Sequence, residues 1–137
     1  MLFRSLFGGR WSSPSRRVLY TSLDPSTAIL EVAVHKGLRT LDAVAQTLIQ
    51  IEVAPTKRVF KLDPARVPNA HWLRPGTISK DQQLFGDALL KTHALVLIPS
   101  VVSTRSWNLL IDVTAARAQF KFKSSEAFAL DPRLNPA

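Results

Sequence analysis

Asp24-Pro25 is the tightest local constraint in this chain. An aspartate at an N-cap accepts a backbone N–H that the first helical turn leaves orphaned, and a proline at the first helical position has no N–H to lose. A helix therefore starts here. Upstream, Val18-Leu19-Tyr20 reads as a strand, preceded by the paired glycine Gly8-Gly9, by Arg10-Trp11 and by a turn at Ser12 to Pro14. Gly8 to His35 is thus a loop–strand–helix unit with Arg10, Tyr20 and Glu31 on three consecutive pieces. A basic fork, an aromatic face and one carboxylate suit a site for a phosphorylated, cationic substrate.

Glu31 has two readings. The helix around it, Ala28 to Val34, is apolar nearly all round, and a carboxylate in such surroundings is seldom buried without a partner, which makes it a site candidate. Yet Asp24, Thr27, Glu31 and His35 fall on one helical face. Periodicity alone favours that face as the wet stripe of an amphipathic helix.

Composition narrows the function classes. The chain has 137 residues, 46% of them hydrophobic and 20% charged, which fits one globular domain with a real core. It has no cysteine, so disulfides and thiolate metal sites are excluded. His35, His71 and His93 form no HxxxH or HExxH spacing, so no metal is expected. A net charge of +8 suits an acidic partner: nucleic acid, a phosphate-bearing small molecule or an acidic protein. The cations are scattered, however, and no row of aromatics accompanies them, so direct nucleic-acid binding is not expected. The apolar N-terminus is short and broken by Arg4, and no later run approaches the ~20 apolar residues of a membrane span. No membrane contact and a cytoplasmic location are the expectation.

Downstream, Gly37 reads as a C-cap, and Leu38 to Ala45 adds a turn or two of helix. Leu48 to Val53 and Arg58 to Leu62 alternate at period two and read as strands, the first stopped by Pro55. A proline-spaced loop follows through His71-Trp72 and Pro75-Gly76. Lys80 to Thr92 has helical spacing, and Ala94 to Ile98, wholly apolar, reads as a central strand closed by Pro99-Ser100. Trp107 to Asp112 follows, and Phe120 to Lys123 and Ala127 to Leu130 read as two edge or hairpin strands. About six strands and two or three helices make an α+β fold.

Motifs in order now define a resemblance. GGRW at Gly8 to Trp11, VLYTSLDPSTAILEVAVH at Val18 to His35, the FGD around Gly86-Asp87, LVLIPSVV at Leu95 to Val102, Asn108-Leu109-Leu110 and FALDPRL at Phe128 to Leu134 resemble the RES domain toxins of bacterial toxin–antitoxin pairs. The resemblance spans nearly the whole chain, 1–137, as a single domain. It implies a compact α+β fold with a mostly antiparallel sheet, similar to ADP-ribosyltransferases. It implies NAD as substrate, cleaved at the nicotinamide–ribose bond by hydrolysis, phosphorolysis or ADP-ribosyl transfer, and an Xre-like helix-turn-helix antitoxin as partner. By the motif match the family's Arg falls on Arg10, its Tyr on Tyr20, its Glu on Glu31 and its Ser on Ser100, with Gly9 and Asn108 in the substrate-binding set.

The chemistry suits those residue types. Breaking the nicotinamide–ribose bond builds positive charge on the ribose, and a carboxylate such as Glu31 held against it stabilises that charge. Arg10 offers a bidentate grip for a pyrophosphate. Tyr20 is placed to stack on nicotinamide or close the pocket, and Ser100 to bond a ribose hydroxyl or hold the Glu31 carboxylate. The chain also departs from the family. It starts seven residues before the glycine pair, where the family carries a further Arg and a first strand, with Arg4 a partial substitute. Ser12 stands for a common Asn and Ala88 for a common Trp. Asp112-Val113 stands for Asn-Pro, an added carboxylate expected to weaken a pyrophosphate grip. A catalytically weakened binding module within a toxin–antitoxin complex is therefore the alternative, with a basic nucleic-acid-binding domain behind it.

Overall fold

The computed structural model describes residues 2–4, 9–14, 16–54, 58–68 and 79–134. Gly8, Pro55, His71-Trp72 and Pro75-Gly76 lie outside the described residues. In chain order the elements are β1 (Leu2–Arg4), β2 (Val18–Ser22), α1 (Pro25–Lys36), α2 (Leu38–Ala43), β3 (Gln46–Val53), β4 (Val59–Lys61), α3 (Lys80–Thr92), β5 (Leu95–Pro99), β6 (Trp107–Asp112) and β7 (Phe120–Phe128). Short 3-10 turns at Pro64–Arg66 and Pro132–Leu134 complete them.

Five strands form the main sheet in the order β1-β2-β6-β5-β4, and β3 and β7 form a separate two-stranded sheet. All described pairings are antiparallel except β4 with β5, which a crossover containing α3 connects. The fold is mixed α/β with mainly antiparallel pairing, as expected from the order of elements. Phe120 to Phe128 corrects the expectation of two late strands. It is one nine-residue strand whose register against β3 shifts at Gln50/Ile51, and that irregularity breaks the period-two pattern into apparent halves.

Alternation at period two divides the main sheet into two faces. Val18, Tyr20, Val96, Ile98 and Leu110 face Trp11, Leu62, Val67 and Leu90. Leu19, Leu95, Leu109 and Ile111 face the other way, against Ile51, Val53 and Phe120 of the small sheet. Val18, Leu95, Val96 and Ile111 are fully enclosed, each contributing about 1.5–3 kcal/mol relative to exposure. The central strands β5 and β6 are therefore the rigid platform on which the site is built.

Helix α1 starts as Asp24-Pro25 dictates. Asp24 accepts from the Thr27 N–H at 2.9 Å and its hydroxyl at 2.7 Å, and these bonds hold the Asp24 carboxyl below the usual carboxylate range. A depressed folded value means the cap is intact above about pH 4 and is lost as pH falls through it. Gly37, at φ +84°, ends α1 with its N–H on the Ala33 carbonyl at 2.7 Å and turns the chain into α2. That left-handed position favours glycine.

The structure corrects the wet-stripe reading of α1 in the middle of the helix and keeps it at the ends. Asp24 and His35, at the two ends of that face, are exposed, but Thr27 is buried and Glu31 half-buried between them, whereas Leu30 is 43% and Val34 65% exposed. In its middle, therefore, α1 turns polar residues inward and two apolar ones outward, against the ordinary amphipathic arrangement.

Candidate functional site

Glu31 leaves α1 toward the exit of β5 and the start of β6, which lie side by side in the antiparallel pair. Its Oε1 accepts from Ser100 Oγ at 2.7 Å and from Asn108 Nδ2 at 2.7 Å. Both bonds converge on one oxygen, which fixes the carboxylate and leaves Oε2 outside this pair. Three residues separated by 69 and 77 positions meet here because β5 and β6 are neighbours and α1 lies across their ends.

Ser100 is fully buried just past Pro99. Its hydroxyl accepts from the Val102 and Ser103 N–H groups at 3.2 and 3.1 Å while its proton goes to Glu31. One donor and two lone pairs exhaust a hydroxyl. The structure thus gives Ser100 the task of holding the carboxylate. Ser100→Ala should cost about 1–3 kcal/mol, because it strands two amides and half of the carboxylate's support. A lowered denaturant midpoint checks this, and an unchanged one would refute it.

Asn108 is aligned in turn by Ser22. The Ser22 hydroxyl donates to Asn108 Oδ1 at 2.7 Å, so the amide must present Nδ2 to Glu31. Ser22 is a site residue that the sequence reading missed. The signal available was register: Ser22 pairs directly with Asn108 across β2 and β6.

Arg10 sits at a tight turn in which the Gly9 N–H bonds the Ser12 carbonyl at 2.9 Å. Tyr20 braces this turn from the sheet. Its hydroxyl accepts from the Trp11 N–H at 3.1 Å and lies 2.8 Å from Ser12 Oγ. Gly9 lies so close beneath the phenol that a Cβ there would come within 2.6 Å of Tyr20 Cζ. Glycine at position 9 is required by this approach, and Ser12, where the family commonly has Asn, is buried and spends its hydroxyl on Tyr20. Burial pulls the Arg10 guanidinium below the ordinary arginine value, opposed by the charges of Glu31 and Tyr20. Arg10, Tyr20 and Glu31 therefore share one electrostatic neighbourhood, and Arg10 remains a cation at neutral pH.

The FGD segment supplies the far wall. Phe85 packs on Trp11 with ring centroids 6.3 Å apart, and Gln83 Nε2 donates to the Gly9 carbonyl at 3.0 Å. Asp87 accepts from the Ser13 N–H at 3.0 Å and from the Ser13 hydroxyl, and pairs with Arg16 at 3.2 Å.

Asp112 is not at the site. It lies at the opposite end of β6 from Asn108, where it pairs with Arg16 at 3.2 Å and accepts from the Thr114 and Ala115 amides at 3.1 Å. Its charge is spent on a cation and a turn. A cavity of about 340 Å³ lies between the two sheets, lined by Thr21, Leu109, Ile111, Gln50 and Glu126. It opens on the sheet face opposite Arg10 and Tyr20. Among the described residues no group of three His, Cys, Asp or Glu side chains is placed to hold a metal, and no helix is long and apolar enough to cross a membrane.

Three comparisons bear on this arrangement. The sequence pattern of the RES domain family matches residues 3–131. The chain is similar to Toxin Res of Pseudomonas putida, 28% identical over 131 residues, which spans 92% of this chain and 85% of that protein. Its fold is similar to a chain in the crystal structure of the M. tuberculosis MbcT-MbcA toxin-antitoxin complex, with a TM-score of 0.73, 21% identity and coverage of 93% of this chain and 74% of the other.

Proposed function

This chain belongs to the RES domain family, and from that premise we propose that it is the toxin of a toxin–antitoxin pair and acts by cleaving the nicotinamide–ribose bond of NAD. The observation that carries the reading is the convergence of Ser100 and Asn108 on a single oxygen of Glu31. A carboxylate that only solvated a helix face would need no such anchoring.

In the reaction we propose, the bond between the nicotinamide nitrogen and ribose C1′ breaks. The electron pair leaves with nicotinamide, which becomes neutral, and positive charge develops on the ribose ring. Glu31 Oε2 faces that charge while Oε1 stays held by Ser100 and Asn108. A fixed carboxylate stabilises developing charge without reorganising, which is the source of its catalytic value. The acceptor (water, phosphate or a protein side chain) then bonds to C1′ and passes its proton to solvent, which completes the exchange of the C1′–nitrogen bond for a new bond to C1′. Arg10 grips the pyrophosphate through its planar fork. Tyr20 has its hydroxyl committed to Trp11 and Ser12, so its contribution is to brace the Gly9–Ser12 turn and offer its ring edge to the base.

A protein partner fits the surface. Leu30 and Val34 are exposed on the same helix that carries Glu31. Apolar residues in that position are expected to be covered by another chain. We take that partner to be an antitoxin with an Xre-like helix-turn-helix domain, and the chain to act in the cytoplasm.

The test is the NAD concentration over time with purified protein, with and without inorganic phosphate. Consumption with stoichiometric nicotinamide release is expected, and dependence on phosphate would name the acceptor. NAD left intact by folded protein would overturn the reading in favour of a binding module. Asn108→Ala should lower kcat about tenfold with KM little changed, because Glu31 is then held from one side only. A larger effect on KM than on kcat would contradict this placement.

A further inference from the structure

Helix α3 offers three residues to the turn that carries Arg10. Gln83, Gly86 and Asp87 fall at i, i+3 and i+4, one face of the helix. Gln83 bonds the Gly9 carbonyl, Gly86 abuts the Trp11 backbone and Asp87 binds Ser13 twice. Ser13 lies three positions beyond Arg10. Asp87 also accepts from Arg16 Nε, whose NH1 reaches Asp112. A carboxylate with 15% of its side chain exposed thus ties one end of the turn to α3 and, through Arg16, to the far end of β6. None of these bonds serves the packing of apolar surface. Their common effect is to fix where residues 9–13 stand relative to β2, and so where the guanidinium of Arg10 stands relative to Glu31.

We propose that Asp87 is a positioning residue for Arg10: it acts on substrate binding through the Ser13 contact and not by touching substrate. The proposal rests on the reading of Arg10 as the pyrophosphate grip. Because Arg10 holds the substrate and Glu31 serves the bond-breaking step, loosening the turn weakens binding while the chemistry at Glu31, held by Ser100 and Asn108, is retained.

Two variants separate positioning from general stability. Asp87→Ala removes every acceptor. Asp87→Asn keeps one oxygen for the Ser13 N–H and surrenders the charge pair with Arg16, which Asp112 still holds. With NAD as the probe, Asp87→Ala should raise KM roughly tenfold and leave kcat within about twofold, and Asp87→Asn should recover most of the loss. In an Arg10→Ala background, Asp87→Ala should have no further effect on KM, because the two act through one contact. Amide hydrogen exchange gives a readout that needs no NAD. The Gly9, Trp11, Ser12 and Ser13 amides should exchange faster in Asp87→Ala, with β5 and β6 unchanged. A KM loss that persists in the Arg10→Ala background overturns the proposal, as does exchange that is unchanged in the turn or accelerated throughout the sheet. If the unsubstituted chain neither binds nor consumes NAD, the proposed function falls, and the exchange experiment decides the role of Asp87 by itself.

Discussion

Glu31→Gln should reduce the rate of NAD cleavage by about 10²–10³, some 2.7–4 kcal/mol of transition-state stabilisation, while leaving the fold in place. The size of the effect follows from where charge develops. In NAD the positive charge sits on the nicotinamide ring, and as the bond breaks it moves to the ribose. A carboxylate aimed at the ribose therefore gains interaction energy in the transition state that it lacks in the ground state, and only such a difference raises kcat. Glutamine preserves shape and an acceptor oxygen. Its carboxamide oxygen can still receive the Ser100 hydroxyl and the Asn108 amide that now lie 2.7 Å from Glu31 Oε1. Stability should consequently change by no more than about 1 kcal/mol, the difference between a charged and a neutral hydrogen bond. Nicotinamide release and a thermal melt on the same preparations read both quantities. A variant that keeps more than a tenth of the activity would remove Glu31 from the centre of the chemistry. A variant that loses activity together with its melting transition would say only that the carboxylate holds the fold.

The elements around this carboxylate are legible to different degrees, for physical reasons. Asp24-Pro25 announces α1 because capping is local chemistry, written within four residues, and β5 announces itself because a fully enclosed strand must be apolar throughout. The direction in which α1 faces is not legible. Periodicity reports which residues share a face but not which face is covered, and the ordinary expectation puts polar residues outside. Here Thr27 and Glu31 turn inward and Leu30 and Val34 outward, since Glu31 meets polar partners where β5 ends and β6 begins. The partners of Glu31 are equally hidden at the level of spacing. Ser100 and Asn108 reach it across separations of 69 and 77 residues, and only the strand register brings them there. The motif order supplies those positions through family resemblance. It supplies neither Ser22, which orients the Asn108 amide, nor the task of the FGD segment, which is to hold a distant turn. Asp112 illustrates the converse. An acidic residue near a site in sequence reads as an electrostatic liability, and six residues of extended strand carry it to the other end of the sheet, onto Arg16.

Gly86→Ala should destabilise the protein by about 3 kcal/mol and lower its melting temperature by roughly 10 °C, against the direction that helix propensity alone would give. Two effects compete at this position. Gly86 lies in the middle of α3, and alanine in a helix interior is favoured over glycine by about 1 kcal/mol. A Cβ at position 86, however, would stand 2.5 Å from the Trp11 carbonyl carbon and 2.8 Å from its Cα, with the carbonyl oxygen nearer still. These are backbone atoms, so no side-chain rotation relieves the contact. Either α3 or the turn at residues 9–12 must move, and each is fixed: Trp11 is 2% exposed and packed in the core, and the Trp11 N–H is bonded to Tyr20. Overpacking against an immobile neighbour therefore exceeds the gain in propensity. The displacement would also carry Arg10 away from Glu31, so NAD binding should weaken even in protein that remains folded at the assay temperature. Ala88→Gly is the natural control. It sits on the same helix at an exposed position, and it should cost only the propensity difference of about 1 kcal/mol. If Gly86→Ala melted at or above the parent's temperature, propensity would have won, and the close approach of α3 to the Arg10 turn could not be what holds that turn in place.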